Sequence, residues 1–335
     1  MQKEIRKFEP HRWLRNGHAQ TIAVAFVRRR FALPSGEERL FRVDAETQLK
    51  GLCHWQREGA QGGAESALRR DLPVIVIVHG LEGSCESGYS AGIADKAWAR
   101  GFHAVRMNQR NCGGTERLTP TLYNSGLSGD YRAVLMDLIE EGFERVFFAG
   151  YSMGGNLVMK MAGELGNAVP KQLQGVAVVC PALDLSACAN ALEKTQNFIY
   201  QRHFVKNLMG RYRRKAELFP ERYAKNGFRP IRTVREFDDE ITAPCFGFKN
   251  AEEYYERSSA KNVVGKVAVP LLVITAKDDP FVPYESVLRA RVEENACVRF
   301  VAPEHGGHCG FISRFAGAER FWAEERIVEF VQSNQ

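Results

Sequence analysis

Short apolar runs alternate along the chain with longer segments in which apolar residues recur at helical spacing. Amphipathic helical patterns cover residues 89–100 and 127–139. Runs rich in β-branched or aromatic residues, typical of strands buried on both faces, lie at residues 74–78, 102–107, 146–149, 176–180 and 271–275. The alternation predicts an α/β fold with a mostly parallel central sheet, right-handed crossovers and helices on both faces.

Two parts of the chain depart from this alternation. Residues 40–43 and 49–55 have strand-like content and predict an antiparallel pair at the edge of the sheet. Residues 185–262 are rich in aromatic and basic side chains and contain no buried-strand run, so we predict an inserted helical cap. The chain is therefore expected to form a single domain with an N-terminal extension, 1–35, and a core made of 36–184 and 263–335.

The predicted cap carries an apolar group and a basic group. The apolar residues are expected either to line an acyl-binding pocket or to be ordinary packing; they are Phe198, Ile199, Phe204, Leu208 and Met209. The basic residues are expected to form a solvated helix face or to meet anionic lipid; they are Arg211, Arg213, Arg214 and Lys215. A second basic run, Arg28 to Arg30, is interpreted as a solvated face.

Composition excludes several classes of protein. Lys and Arg number 46 against 40 Asp and Glu in 335 residues, and a net charge of +6 is too small for a nucleic-acid-binding surface. Eight cysteines lie scattered without a C-x-x-C pair, which argues against zinc and against a disulfide framework. The chain shows no signal peptide and no apolar run near the ~18 residues that span a bilayer. We therefore expect a cytoplasmic protein without a cofactor, a metal or stable membrane insertion, although peripheral membrane contact and oligomeric state stay open.

A serine occupies the turn between a predicted strand and a predicted helix. Residues 150–154 read Gly-Tyr-Ser-Met-Gly, directly after the apolar run 146–149. This is the pattern of a nucleophile elbow, in which a side chain at Gly150 or Gly154 would collide across the tight turn. Such short patterns also arise by chance, so the prediction that Ser152 is a nucleophile depends on partners elsewhere.

A histidine must take the serine proton during attack on an ester, and a carboxylate must hold that imidazole in the right tautomer. His308 lies in an open loop with Gly307 before it and Gly310 after it, and we predict it as the base. The alternative base is His305. An acid after one late strand and a histidine after the next give the order Ser, Asp, His that this arrangement requires.

Three aspartates could serve as the acid. Asp279 opens the sequence Asp-Pro-Phe-Val-Pro after the strand at 271–275, and we predict it as the acid. Asp278, which suits the turn itself, and Asp184, which ends the preceding strand, are alternatives. Each could instead be a turn-forming residue whose side chain bonds its own backbone.

The negative charge that develops on the substrate oxygen requires preplaced hydrogen-bond donors. We predict the backbone N–H of Met153, directly after the nucleophile, and that of Leu81, in the glycine turn after the strand at 74–78. His79 is expected to anchor this turn and not to titrate during catalysis.

Four segments together resemble the YheT-like branch of the α/β-hydrolases, the AB hydrolase 4 family. They are residues 79–84 (HGLEGS), 150–156 (GYSMGGN), 278–281 (DDPF) and 306–311 (GGHCGF). Residues 17–21 (GHAQT) are similar to the His-x-Gln-Thr of that branch, so the likeness spans nearly the whole chain. One departure is Arg110-Asn111-Cys112 where the family usually has Arg-Gly-Cys.

This resemblance implies an α/β-hydrolase fold and a serine esterase or lipase with Ser152, Asp279 and His308 as its triad. Some relatives cleave phospholipids or acylglycerols, and others run the reaction toward ester synthesis. We therefore expect hydrolysis of short- or medium-chain acyl esters, in lipid metabolism. The alternatives are an acyltransferase that uses an alcohol acceptor and a non-catalytic binding protein.

Overall fold

The computed structural model describes residues 5–58, 67–223 and 229–335. Its strands form one sheet in the order β1-β2-β4-β3-β5-β6-β7-β8. The strands are β1 Glu37–Arg42, β2 Gln48–His54, β3 Val74–Val78, β4 His103–Met107, β5 Val146–Tyr151, β6 Leu173–Val179, β7 Leu271–Ile274 and β8 Val298–Val301. β2 pairs antiparallel with β1 and β4, and all other neighbours are parallel. The predicted antiparallel edge and the mostly parallel centre are both confirmed.

Helices cover both faces of this sheet. They are α1 Gly17–Phe26, α2 Gly88–Ala99, α3 Ser128–Glu140, α4 Met153–Leu165, α5 Leu185–Leu192, α6 Phe198–Leu218, α7 Val234–Phe237, α8 Ala243–Cys245, α9 Ala251–Ser258, α10 Tyr284–Arg289 and α11 Trp322–Ser333. No helix in the described ranges combines the length and apolar composition that crossing a bilayer requires. Residues 185–262, the predicted cap, contain α5 to α9, and their described part contains no strand.

Alternation along β3 explains the two-sided core. All five of its side chains are buried. Val74, Val76 and Val78 pack in the cluster that includes α3 and α4, whereas Ile75 and Ile77 pack in the cluster that includes α2 and α11. Successive side chains of a strand point to opposite faces, so a continuous apolar run needs a helical layer on each side. The predicted helices on both faces are therefore confirmed.

The parallel strands all end at the same edge of the sheet, and the loops that follow them carry unusual backbone angles. Asn111, after β4, has φ 64°, in the left-handed region that glycine adopts most easily. The departure from Arg-Gly-Cys thus falls at a position where a glycine would fit without strain. Here the asparagine side chain donates to the Thr121 carbonyl at 2.9 Å, which holds the turn.

Candidate active site

Ser152 lies between β5 and α4 with φ 53° and ψ −118°. A Cβ at Gly150 would lie 2.5 Å from the Gly154 carbonyl oxygen, and a Cβ at Gly154 would lie 2.4 Å from that of His79. Contacts this short are excluded, so both positions require glycine. The turn holds the serine in a strained conformation at the edge where the parallel strands end.

His308 and Asp279 form a close pair on the loops after β8 and β7. Nδ1 of His308 lies 2.8 Å from Oδ2 of Asp279, and the Asp279 side chain is completely buried. Oδ1 of Asp279 accepts the backbone N–H groups of Phe281 at 3.0 Å and Val282 at 2.9 Å. The carboxylate is therefore fixed by three partners, and it fixes the imidazole in turn.

The alternative acids and base make other contacts. His305 is 39% exposed in its side chain and lies 3.3 Å from Asp278. Asp278 also accepts the backbone N–H of Gly307 at 2.8 Å, so it braces the histidine loop. Asp184 caps α5 by accepting the N–H of Ala187 at 3.2 Å.

One carbonyl group joins the serine turn to the histidine loop. The Val179 carbonyl at the end of β6 accepts the backbone N–H of Ser152 at 2.9 Å and the Sγ–H of Cys309 at 3.8 Å. Residues 152 and 309 therefore bond the same atom. The arrangement brings the loop of His308 alongside the turn that carries Ser152.

The segment around α1, for which the sequence offers only a family resemblance, supports the histidine loop. The backbone N–H of His308 donates to the Thr21 hydroxyl at 2.8 Å, and this hydroxyl donates to the Gly17 carbonyl at 2.7 Å. Gln20 is fully buried. Its side-chain amide donates to the Ile312 carbonyl at 3.2 Å and accepts the Ile312 N–H at 2.9 Å. Polar residues of the N-terminal extension thus hold a loop almost 300 positions later in the chain.

The loop after β3 lies against the serine. A Cβ at Gly80 would lie 3.2 Å from Cβ of Ser152. Among the described residues, the N–H groups of Leu81 and Met153 have no hydrogen-bond acceptor, and both residues border the same cavity as Ser152. Two unused donors beside the serine are what an oxyanion hole requires.

His79 anchors this loop. Its Nε2 accepts the N–H of Gln109 at 3.1 Å, and its Nδ1 lies 2.7 Å from the Gly80 carbonyl oxygen. Burial lowers the pKa of His79 to about 4, so the imidazole is neutral near pH 7. The structure thus gives His79 the anchoring contacts expected from the sequence.

Glu82 and Arg211 form a buried ion pair that the sequence analysis missed. Arg211, on α6, donates two hydrogen bonds of 3.0 Å to the carboxylate of Glu82, and the Tyr123 hydroxyl donates to the same carboxylate. Both charged side chains are less than 10% exposed. The predicted solvated or lipid-binding face is therefore wrong for Arg211. It is also wrong for Lys215, which is fully buried and donates to the Glu116 carbonyl at 2.6 Å.

Ser152 lines a cavity of about 920 Å³, a volume that includes the open space at its entrance. Its walls are mainly apolar and come from α5, α6 and the residues around α7 and α9. Of the five predicted pocket residues, Phe204 and Leu208 line this cavity. Met209 packs against the core, which was the alternative expectation for this group. Both expectations are wrong for Phe198 and Ile199, which are 62% and 78% exposed.

Electrostatics favour the charged form of His308. Burial lowers its pKa, but the Asp279 carboxylate bonded to its ring raises it, and the pKa lies above its ordinary value. A proton on the His308 ring is therefore stabilised by the carboxylate beside it.

Two clusters contain groups that commonly bind metals. Ligand atoms of Cys180, His308 and Cys309 lie within 4.8 Å of one another, as do those of Glu319, Glu325 and Glu329. In the first cluster the ring of His308 already bonds Asp279, and the Cys180 sulfur accepts the N–H of Cys309 at 3.4 Å. In the second cluster each glutamate pairs with an arginine. Protein groups thus contact both clusters, although Oε2 of Glu319 and Oε2 of Glu325 are buried without a hydrogen-bond partner among the described residues.

Comparison with known proteins identifies the family. The family described as alpha/beta hydrolase fold matches residues 73–315. The chain belongs to the α/β-hydrolases. This α/β-hydrolase is 32% identical to YheT of Escherichia coli (strain K12) over 97% of its own length and 93% of that protein, which confirms the predicted YheT-like branch. It is 26% identical to Phospholipase ABHD3 of Mus musculus, over 78% of this chain and 64% of the relative.

The fold agrees with that of a solved esterase. The structure of the Pyrococcus furiosus esterase Pf2001 aligns with a TM-score of 0.60 over 99% of both chains at 14% identity, a likeness that shows the fold alone. The chain is also 28% identical to Monoacylglycerol lipase of Saccharomyces cerevisiae, over 78% of this chain and 59% of the relative. With such relatives the chain is an esterase- or lipase-like α/β-hydrolase.

Proposed function

We propose that this α/β-hydrolase is a serine carboxylic-ester hydrolase with Ser152 as nucleophile, His308 as base and Asp279 as acid. The observation that carries the proposal is the buried pair of His308 and Asp279 on a loop that bonds the same carbonyl as the strained Ser152. The apolar cavity next to Ser152 supports a substrate with a short- or medium-length acyl chain, in lipid metabolism.

The reaction has two steps. The Ser152 oxygen attacks the ester carbonyl while His308 takes its proton, and the proton then passes to the departing alcohol, which leaves an acyl-enzyme. A water molecule, deprotonated by His308, attacks the acyl-enzyme and releases the carboxylic acid and the free serine. The N–H groups of Leu81 and Met153 hold the negative oxygen in each step.

A comparison of the wild type with Ser152→Ala tests the proposal. With p-nitrophenyl esters of graded acyl length, we expect Ser152→Ala to lower kcat/KM by about 10⁴-fold or more, because the nucleophile is lost. A fluorophosphonate should label the wild type at Ser152 and leave the variant unlabelled. Ser333→Ala, an exposed serine at the end of α11, is the matched control and should behave as the wild type.

Equal nitrophenol release by the wild type and Ser152→Ala, without labelling of Ser152, would contradict the proposal. The remaining hypothesis would then be a non-catalytic binding protein. Product analysis with added alcohol separates hydrolysis from acyl transfer. Free acid as the main product supports the hydrolase, whereas accumulation of a new ester identifies an acyltransferase that uses the same triad.

A further inference from the structure

The most exposed large apolar side chains of the described chain gather in two neighbouring segments. Phe26 is 79% exposed, Ile199 78%, Trp13 73%, Phe198 62% and Ile22 49%. We refer to these five residues as the apolar rim. Isolated exposed apolar residues are normal, but a group of this kind marks an interaction site.

A contact between α1 and α6 places the two segments side by side. The rings of His18 and Tyr200 stack with 5.8 Å between centroids and 7° between planes, and His18 Nδ1 lies 3.2 Å from the Tyr200 hydroxyl. Ile22 and Phe26 follow His18 at four-residue intervals, so they share its face of α1. Phe198 and Ile199 directly precede Tyr200 in the first turn of α6. The four rim residues on α1 and α6 therefore lie where these two helices meet, and Trp13 lies four residues before α1.

The apolar rim borders the candidate active site. The ring of Tyr200 lies 5.1 Å from that of Phe281, and Phe281 lies 4.1 Å from the ring of His308. Phe281 also lines the cavity that Ser152 opens into. Only the side chains of Tyr200 and Phe281 would then lie between a hydrophobic molecule at the rim and His308.

The two segments that carry the apolar rim are basic in composition. Residues 10–36 and 194–216 contain no Asp or Glu. Among the exposed cations of these ranges, Arg214 pairs with Glu116 at 3.2 Å. The other eight make no ion pair with a described residue; they are Arg12, Arg15, Arg28, Arg30, Lys194, Arg202, Lys206 and Arg213. Exposed cations without an ion-pair partner, beside exposed aromatic side chains, are the composition of a surface that binds anionic lipid.

We propose that the apolar rim binds the surface of an anionic phospholipid bilayer. Trp13, Phe26 and Ile199 enter the interfacial layer, and the surrounding cations contact the phosphate groups. A second copy of the chain fits the rim less well, because two-fold pairing would bring the unpaired cations of both copies together. Delivery of an ester from the bilayer to the cavity rests on the proposed function, whereas the binding itself does not.

Flotation of the full chain with phospholipid vesicles tests this proposal. We expect the wild type and Ser152→Ala to float with phosphatidylcholine vesicles that contain about one third phosphatidylglycerol. Binding should weaken without the anionic lipid and at high salt, because screening removes the attraction between exposed charges. Phe26→Ser/Ile199→Ser should lower the affinity about tenfold or more, since it removes two buried apolar groups. Arg28→Gln/Arg30→Gln should lower binding to vesicles that contain phosphatidylglycerol and leave binding to pure phosphatidylcholine vesicles unchanged.

Leu40→Thr is the matched control, because Leu40 is 47% exposed on the edge strand β1 and lies outside the apolar rim. Its binding should equal that of the wild type, and every variant except Ser152→Ala should keep the same turnover of a water-soluble ester. The proposal is overturned if the wild type does not float or if Phe26→Ser/Ile199→Ser floats equally well. A dimer in light scattering that this variant converts to a monomer would overturn it in favour of a second copy. If the wild type does not hydrolyse the ester, the proposed function is wrong, and vesicle binding is then assessed on its own.

Discussion

Backbone strain in this protein concentrates at the candidate active site. Seven non-glycine residues of the described chain have a positive φ, and all but Arg291 follow the carboxyl ends of parallel strands. The six residues that follow strand ends are Glu82, Asn111, Ser152, Cys180, Cys309 and Phe311. Left-handed backbone costs free energy for such residues and persists only where the surroundings impose it. The clustering therefore supports a functional role for this edge of the sheet independently of any motif.

The pairing of His308 with Asp279 makes the pH dependence of activity predictable. His308 must be neutral to accept a proton, so kcat/KM should rise with pH through the raised pKa of this histidine. Asp279→Asn removes the charge that raises the pKa while burial still lowers it, so the rise should move to lower pH. The maximal rate should also fall by about 10⁴-fold, because asparagine does not hold the imidazole in the tautomer that accepts the serine proton.

The measurement is kcat/KM against pH for the wild type, Asp279→Asn and the control Asp278→Asn. Asp278 is partly exposed and bonds His305 and Gly307, so Asp278→Asn should leave the position of the rise unchanged. If the rise moved in Asp278→Asn and stayed in place in Asp279→Asn, the acid and the base would have been assigned to the wrong pair.

At the scale of elements, α6 controls the position of the loop after β3. Arg211 reaches Glu82 with two hydrogen bonds and also donates to the Asn111 carbonyl. Glu82 directly follows Leu81, whose N–H is a proposed oxyanion donor. A helix of the β6–β7 region thus holds two of the loops at the candidate site through one guanidinium group.

Arg211→Met should therefore lower kcat by about 10- to 100-fold with little change in KM, because a small displacement of an oxyanion donor is costly. It should also destabilise the protein by about 3–5 kcal/mol, since Glu82 remains buried without its partner. Arg213→Met, an exposed neighbour on α6, is the control and should change neither quantity.

The double variant Glu82→Gln/Arg211→Met separates positioning from stability. It removes both buried charges, so the free energy of unfolding should return close to that of the wild type. The low kcat should persist, because α6 no longer fixes the loop. Recovery of both stability and kcat in the double variant would reduce Arg211 to a structural role.

What could be predicted from the sequence depended on whether the signal was local. The apolar run at β3 and the glycine spacing around Ser152 are local, and the strand bounds Val74–Val78 and the turn agree with the prediction. Arg211 and Glu82 are 129 residues apart, and nothing in the basic run distinguishes the buried Arg211 from the exposed Arg213. The exposed Phe198 and Ile199 were missed for the same reason, because their burial depends on how α6 docks.

At the scale of the whole molecule, one buried carboxylate joins three segments far apart in the chain. Glu324 on α11 accepts two hydrogen bonds from Arg29, at 2.6 and 2.7 Å, and one from Lys96 on α2 at 2.7 Å. A Cβ at Gly92 would lie 2.3 Å from this carboxylate, so α2 packs closely against it. The interpretation of Arg28 to Arg30 as a solvated face is therefore wrong for Arg29, whose side chain is 8% exposed.

Glu324→Gln should destabilise the fold without impairing the active site. The amide keeps the shape of the carboxylate but leaves two buried cations without a counter-charge, which should cost about 3–5 kcal/mol of unfolding free energy. The network lies at α2 and α11 and touches none of the proposed catalytic groups, so kcat at about 25 °C should match that of the wild type. Denaturant titration measures the stability, with the exposed Glu285→Gln as control. A stability within about 0.5 kcal/mol of the wild type would mean that Arg29 and Lys96 find other partners, and that this carboxylate does not hold the N-terminal extension to the core.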